Sequence, residues 1–202
     1  MIITYFGHSF LLLKGKDYSI ALDPYKDIGL EIPSVTSDFV FCSHEHFDHN
    51  NVSAVKNAKR VVGEGNFKII KTYHDDKFGA LRGANNVLLF TLDGIKIAFL
   101  GDFGESDNKE LIKALNGVDI LFIPIGGTYT IDAITAKHYV NGIQPKTVIP
   151  IHYKIKGSTV DIDDEKGFLN LFDGYKKVAS PYNYNNDSGV LLITPEKGEL
   201  NV

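Results

Sequence analysis

Apolar and β-branched residues fall along this chain in short runs, most of them of strand length. The pattern predicts strands over 1–6, 9–14, 18–23, 38–43 and 67–73, and again over 87–92, 95–100, 118–125, 146–151 and 189–194. Helical spacing is rarer. It appears over 50–58, over 107–115 with Asp107 as the N-cap, and over 131–142 and 163–173. Tight turns such as Lys14-Gly15-Lys16-Asp17 mark the opening strands as hairpins, after which strand and helix alternate. Two sheets with helices outside bury such a set in layers, an α/β architecture. No linker, low-complexity tract or fixed-period repeat interrupts 1–202, so one domain is expected.

Composition changes this picture little. The 202 residues are 44% hydrophobic and 23% charged, an ordinary globular balance. A formal net charge of -4 argues against a dedicated nucleic-acid binder, which needs a basic face, so nucleic acid is disfavoured as a partner. A single cysteine, Cys42, precludes an internal disulfide and suits a reducing compartment. The N-terminus Met1-Ile2-Ile3-Thr4-Tyr5-Phe6-Gly7-His8 reads as a first strand and not as a signal peptide. No apolar run has the length to cross a bilayer, and the expectation is a cytoplasmic protein without a membrane partner.

The seven histidines carry the chemistry. Three lie at 44, 46 and 49, in His44-Glu45-His46-Phe47-Asp48-His49, after a buried strand and before a segment read as a helix. Residues two apart in extended backbone point the same way, so His44 and His46 can converge on one cation. Asp48 and His49 follow the turn and can address a second. Imidazole and carboxylate suit zinc and similar ions. One run cannot complete two sites, and three candidates stand at other strand ends: His74, Asp102 and His152.

These residues, in this order, resemble the metallo-β-lactamase superfamily. The pattern His-x-His-x-Asp-His stands at 44–49, followed by His74, Gly101-Asp102 and His152. More narrowly, the chain is similar to the short metal-dependent hydrolases related to ascorbate-6-phosphate lactonase. The motifs shared with that branch are Gly7-His8-Ser9, His74-Asp75, Arg82-Gly83-Ala84-Asn85, the stretch Pro124–Thr130, and Pro150–Tyr153. The resemblance implies a four-layer αββα sandwich. It also implies that His44, His46 and His74 bind one metal, that Asp48, His49 and His152 bind another, and that Asp102 bridges them. Relatives often place a histidine where this chain has Glu105, which puts a substrate role there in doubt. His46 stands where oxygen-reducing diiron relatives often have Glu, which favours hydrolysis.

The expected cofactors are two divalent ions, Zn2+ by ligand type, with Mn2+ or Fe2+ also compatible. A hydroxide shared by them would be the nucleophile, with Asp48 as the catalytic carboxylate that orients it. The two carboxylates and the hydroxide leave a formal positive excess, which favours a small anionic substrate, a lactone or a phosphate ester. Arg82, Lys154 and Lys156 would add to that attraction. His8, Arg82 and Tyr129 are the candidate substrate-binding residues. For each a structural role competes: a satisfied buried histidine, an ion pair ordering the glycine-rich loop, and a packed loop tyrosine. His138 reads as a solvated or packing helix residue, and Cys42 as a buried strand residue. Short intervals between the ligands leave no room for an inserted substrate domain. Specificity must then come from short loops, the helix expected after Tyr153, or a neighbouring subunit in a homo-oligomer. The alternatives are a phosphodiesterase or nuclease of the same superfamily, and a non-catalytic metal-binding protein.

Overall fold

Side chains alternate between two cores along the opening strands β1 (Ile2–Gly7), β2 (Phe10–Lys14) and β3 (Ser19–Leu22) of the computed structural model, which describes residues 1–196. Ile3, Tyr5, Leu11, Leu13, Ile20 and Leu22 enter the large core between the sheets, while Phe10, Leu12 and Ala21 face a smaller one. That is the period of two a strand imposes. The remaining strands are β4 (Val35–Thr36), β5 (Phe39–Phe41), β6 (Val55–Lys56), β7 (Lys59–Arg60), β8 (Phe67–Tyr73), β9 (Ala84–Leu92) and β10 (Ile95–Phe99). Then come β11 (Ile120–Pro124), β12 (Thr147–Ile151), β13 (Tyr175–Ala179), β14 (Tyr182–Asn183) and β15 (Gly189–Thr194). One sheet runs β14-β1-β2-β3-β5-β7, the other β13-β15-β12-β11-β10-β9-β8, and β4 pairs with β6.

The helices are α1 (Lys109–Leu115), α2 (Ala133–Ile143) and the single turn α3 (Lys166–Leu169). The first two connect parallel strands, α1 between β10 and β11 and α2 between β11 and β12, as crossover geometry requires. Every residue of β11 and β12 is buried, because the other sheet covers one face and these helices the other. The architecture is the αββα sandwich the resemblance implied. On the first sheet the outer layer is thinner. Tyr25, Ile28 and Val55, from loops and a short strand, cover Phe10, Leu12 and Val40 there.

The strand directions place the site. β1, β3 and β5 run the same way, since β2 is antiparallel to both β1 and β3, and β3 is parallel to β5. In the other sheet β8, β10 and β12 share one direction by the same logic. The C-terminal ends of six strands therefore gather His8, Asp23, His44, His74, Asp102 and His152. A hydrogen bond from the His152 amide to the His8 carbonyl, 2.7 Å long, ties the two sheets at this edge.

Three expected helices change. Residues 50–58 contain only a 3-10 turn, Val52–Ala54, although Val52, Ala54 and Val55 are spaced as in a helix. The backbone beyond it is taken by strand pairing, with Val55 opposite Val35 and Lys59 opposite Phe39. The histidine run thus leads into a loop. The 107–115 helix starts later: Asn108 is its N-cap, accepting from the Leu111 amide, while Asp107 lies outside it. Within 163–173 one helical turn forms, because Asp163 is held extended by backbone bonds to Gly126 and Lys154. No helix follows Tyr153 directly. Five short strands, β4, β6, β7, β13 and β14, escape the periodicity because they are too brief or too polar.

Candidate metal centre

Each site residue follows a strand end at which the chain turns sharply. His8, Asp23 and His152 have positive φ values of 53°, 43° and 51°, and Gly101, ahead of Asp102, has 57°. Non-glycine residues adopt this region at a cost of about 1–2 kcal/mol each, a strain that persists where the surroundings over-determine it. Here it turns side chains off the strand ends toward a common point. Gly101 has no alternative, since a Cβ there would collide with the Ser43 side chain and come within 2.9 Å of Asn85 Oδ1.

His44, His46 and His74 form one group of three imidazoles whose ligand atoms lie within 4.8 Å of one another. His8, His49 and His152 form a second. Between them lies a single carboxylate oxygen. Asp102 Oδ2 is 3.1 Å from His49 Nε2, 3.2 Å from His74 Nε2, 3.2 Å from His152 Nε2 and 4.0 Å from His44 Nε2. Asp48 stands at the margin of the second group, its Oδ2 3.4 Å from His8 Nε2 and 3.7 Å from His49 Nε2. Asp102 is itself oriented by Asn85, whose Oδ1 accepts the Asp102 amide and whose amide donates to Leu100 O and Thr72 Oγ1.

The ring nitrogens fit cations better than each other. Buried polar atoms normally find partners, yet His44 Nε2 and Asp102 Oδ1 are buried with none. Burial, with His152 and His49 nearby, lowers the pKa of His8 to about 3, and burial with His49 and His74 nearby lowers that of His44 to about 2. Both are then neutral imidazoles, the form that ligates metals. Burial opposes charge on Asp102 as well, but His152 and His49 override it and hold the carboxyl well below its ordinary range. Burial opposes charge on His49 too, but Asp102 and Asp23 raise its pKa well above the ordinary value, so a cation there would displace a proton. Neutral His8 and His44 beside ionised Asp102 complete a donor set suited to cations.

Beneath these ligands lies a second layer that the sequence did not single out. Asp23 is fully buried, its Oδ2 2.8 Å from His49 Nδ1 and 2.6 Å from Ser43 Oγ. Ser43 Oγ lies 2.9 Å from His44 Nδ1. One carboxylate thus orients a histidine of each group. The available signal was its place at the end of a buried strand, Leu22-Asp23-Pro24, level with the histidine run.

A cleft of about 540 Å3 opens over the centre, lined by His46, Asp48, His74, Asp102 and His152. Arg82 and Tyr129 line it too. His8 does not. It is buried between His49 and His152, its ring centroid 4.2 Å from that of His152. Lys154 turns away, its Nζ donating to the Val160 carbonyl at 2.5 Å. Glu105 is occupied structurally, accepting from the Tyr73 amide and Asn108 Nδ2. His138 is exposed beside Asp107, far from any motif, and Cys42 is buried. No helix among the described residues is long and apolar enough to cross a membrane.

Two facing sheets with a histidine and aspartate cluster on their common edge define a metallo-β-lactamase fold. The chain belongs to that family: a beta-lactamase superfamily domain matches residues 2–152. It is similar to a UPF0173 metal-dependent hydrolase of Geobacillus, 26% identical over 90% of this chain and 97% of the relative. A Staphylococcus aureus protein of the same description is 26% identical over 76% of this chain and 86% of its own length. Among solved structures, a protein from Thermotoga maritima described as a Zn-dependent hydrolase of the metallo-β-lactamase superfamily superposes with a TM-score of 0.78. It is 31% identical, covering 95% of this chain and 97% of that one.

Proposed function

We propose that this metal-dependent hydrolase of the metallo-β-lactamase superfamily uses two divalent ions, zinc by donor type, to hydrolyse a small anionic lactone or phosphate ester. The observation that carries the reading is the position of Asp102 Oδ2, within 3.2 Å of imidazole nitrogens from both histidine groups. His44, His46 and His74 would hold one ion, and His49 and His152 with His8 or Asp48 the other, Asp102 serving both. When bound, such a pair supplies a nucleophile from water near neutral pH and polarises the group to be cleaved.

The chain's own residues account for the rest. Asp48 is the half-buried carboxylate of the centre that opens on the cleft; burial raises its pKa, but His8 and His49 together hold it below the ordinary value. It therefore stands ionised and able to orient the attacking water by accepting a hydrogen bond from it. Phe47, 52% exposed, walls the cleft mouth beside Tyr129. The absence of any serine or cysteine among the residues lining this cleft agrees with attack by water.

The test is metal content measured together with turnover against lactones, phosphomonoesters and phosphodiesters. Two metal equivalents and turnover of the first or second class are expected. Metal binding without turnover of any class would defeat the hydrolase reading, and cleavage of labelled RNA in preference to small esters would replace it with a nuclease.

A further inference from the structure

The loop after His74 is ordered by an unusual device. Asp75 is buried, and its carboxylate accepts four backbone amides of its own loop. Lys77 N and Gly79 N donate to Oδ1 at 2.8 and 3.0 Å, while Leu81 N and Arg82 N donate to Oδ2 at 3.0 and 2.7 Å. The chain is wound around one side chain and leaves it at Arg82. The loop closes onto the strand through Gly83, whose amide bonds Gly79 O and whose carbonyl accepts the His74 amide.

What this presents to the cleft is a guanidinium without a counter-charge. Arg82 makes no ion pair among the described residues, so no such pair orders the loop; Asp75 does. One Arg82 nitrogen donates to Thr128 O at 2.9 Å, and the guanidinium carbon lies 5.6 Å from the centre of the Tyr129 ring. Both contacts orient the group and neither neutralises it. A guanidinium has five donors, so most remain for a ligand. Arg82 also lines the cavities on either side of the metal cleft, of about 380 and 480 Å3, and is the side chain common to all three.

We infer that Arg82 is a carboxylate- or phosphate-binding residue for a second anionic group of the substrate, distinct from the bond cleaved, and that Asp75 is its positioning residue. The inference rests on the reading of the cleft as the hydrolase's substrate site. A planar fork held at a fixed place binds a planar or tetrahedral anion through paired hydrogen bonds, and such charge-assisted bonds are the strong ones. The donors must be aimed before the ligand arrives for that strength to appear as selectivity. Four amides fastened to one buried carboxylate supply that aim. The reaction itself needs neither residue at the reacting atoms.

The experiment reads binding, not turnover. Dicarboxylates from succinate to adipate, and the monoamide of each, are titrated calorimetrically into Zn2+-loaded protein. At the best length the dicarboxylate should bind about 10-fold or more tighter than its monoamide, the value of a charge-assisted bond. Arg82→Gln should bring that ratio near one, and Arg82→Lys should restore part of it. Asp75→Asn should lower it as Arg82→Gln does, with no further loss in the double variant, since both act through one contact. In the unsubstituted protein the amides of Lys77, Gly79, Leu81 and Arg82 should be protected from hydrogen exchange, a check that needs no variant. Equal binding of diacid and monoamide, or a preference that survives Arg82→Gln, would overturn the anion site. Unprotected amides or additive losses in the double variant would overturn the role of Asp75. A protein that prefers the diacid yet hydrolyses nothing would fail as a hydrolase while keeping this site.

Discussion

Asp23 Oδ2 lies 2.8 Å from His49 Nδ1, and both side chains are fully buried. The bond fixes which His49 nitrogen faces Asp102 and leaves Nε2 free to act as a ligand. Burial pushes the Asp23 carboxyl up from its ordinary value, against the pull of His49 and Ser43, so the carboxylate depends on those partners. Asp23→Ala should therefore weaken metal affinity by about 10–100-fold, the usual effect of losing a carboxylate behind a ligating histidine. Ser43→Ala should cost less, because it frees His44 Nδ1 and one bond to Asp23 but leaves the Asp23–His49 contact in place. Chelator competition measures both, and an Asp23→Ala protein of undiminished affinity would refute the orienting role.

Asp102 carries a larger expectation. Its Oδ2 faces both histidine groups, so Asp102→Ala should lower occupancy at both sites and abolish turnover. Asp102→Asn keeps the shape but not the charge and should also lose metal. Elemental analysis alongside activity decides, and a fully metallated, active Asp102→Ala protein would end the bridging assignment.

Much of this centre could be read from the chain because metal ligation restricts residue type and spacing together. His44, His46 and His49 are conspicuous within one run, and His74, Asp102 and His152 each end an apolar strand. Asp23 had no such mark, and Asp75 stood out only as half of the pair His74-Asp75, with no role attached. A single aspartate after a strand or in a loop is common, and only the packing shows that one holds two histidines and the other four amides. His8 was visible as a residue but not as a member of the cluster, because its partners are the distant His49 and, from the opposite sheet, His152, which no local pattern connects to it. The false helix at 50–58 has the same origin: its spacing was helical, but long-range pairing of Val55 and Lys56 with β4 claimed its backbone.

Gly104 offers a stability test beside the centre. A Cβ at this position would lie 2.5 Å from the Asp75 backbone nitrogen and 2.5 Å from the His74 carbonyl carbon. Backbone cannot yield as a flexible side chain can, so Gly104→Ala should destabilise the fold by about 1–3 kcal/mol, the range for overpacking. The shift in the urea midpoint measures it. His74 should be displaced with the backbone, so metal affinity should fall in the same variant.

Cys42 gives a prediction in pH. Burial, reinforced by Asp23, raises its pKa from 9.0 to about 12. The folded protein therefore keeps a neutral thiol where an unfolded chain would have ionised. The stability this contributes is fully present below pH 9 and is lost as pH rises toward 12. Iodoacetamide at pH 8.5 should modify the native protein far more slowly than the same protein in urea. Equal rates would show that Cys42 is accessible and reactive.

The second metal group poses a choice between His8 and Asp48, and the two make different predictions. His8 Nε2 lies 3.1 Å from His49 Nε2 inside a buried cluster, whereas Asp48 is half-buried, opens on the cleft and reaches His49 Nε2 only at 3.7 Å. If His8 ligates, His8→Ala should lower the metal content from two equivalents toward one, while Asp48→Ala should retain more metal and lose turnover. The variant must fold for this to mean anything. His8 sits at a φ of 53°, and its carbonyl accepts bonds from the His152 amide and Tyr5 Oη, so the backbone contacts survive the substitution. His8→Asn tolerates that backbone conformation better than Ala and serves as the control. Metal titration monitored by calorimetry resolves the two sites. Two full equivalents in both His8 variants, with one lost in Asp48→Ala, would assign the ligand to Asp48 and return His8 to a packing role.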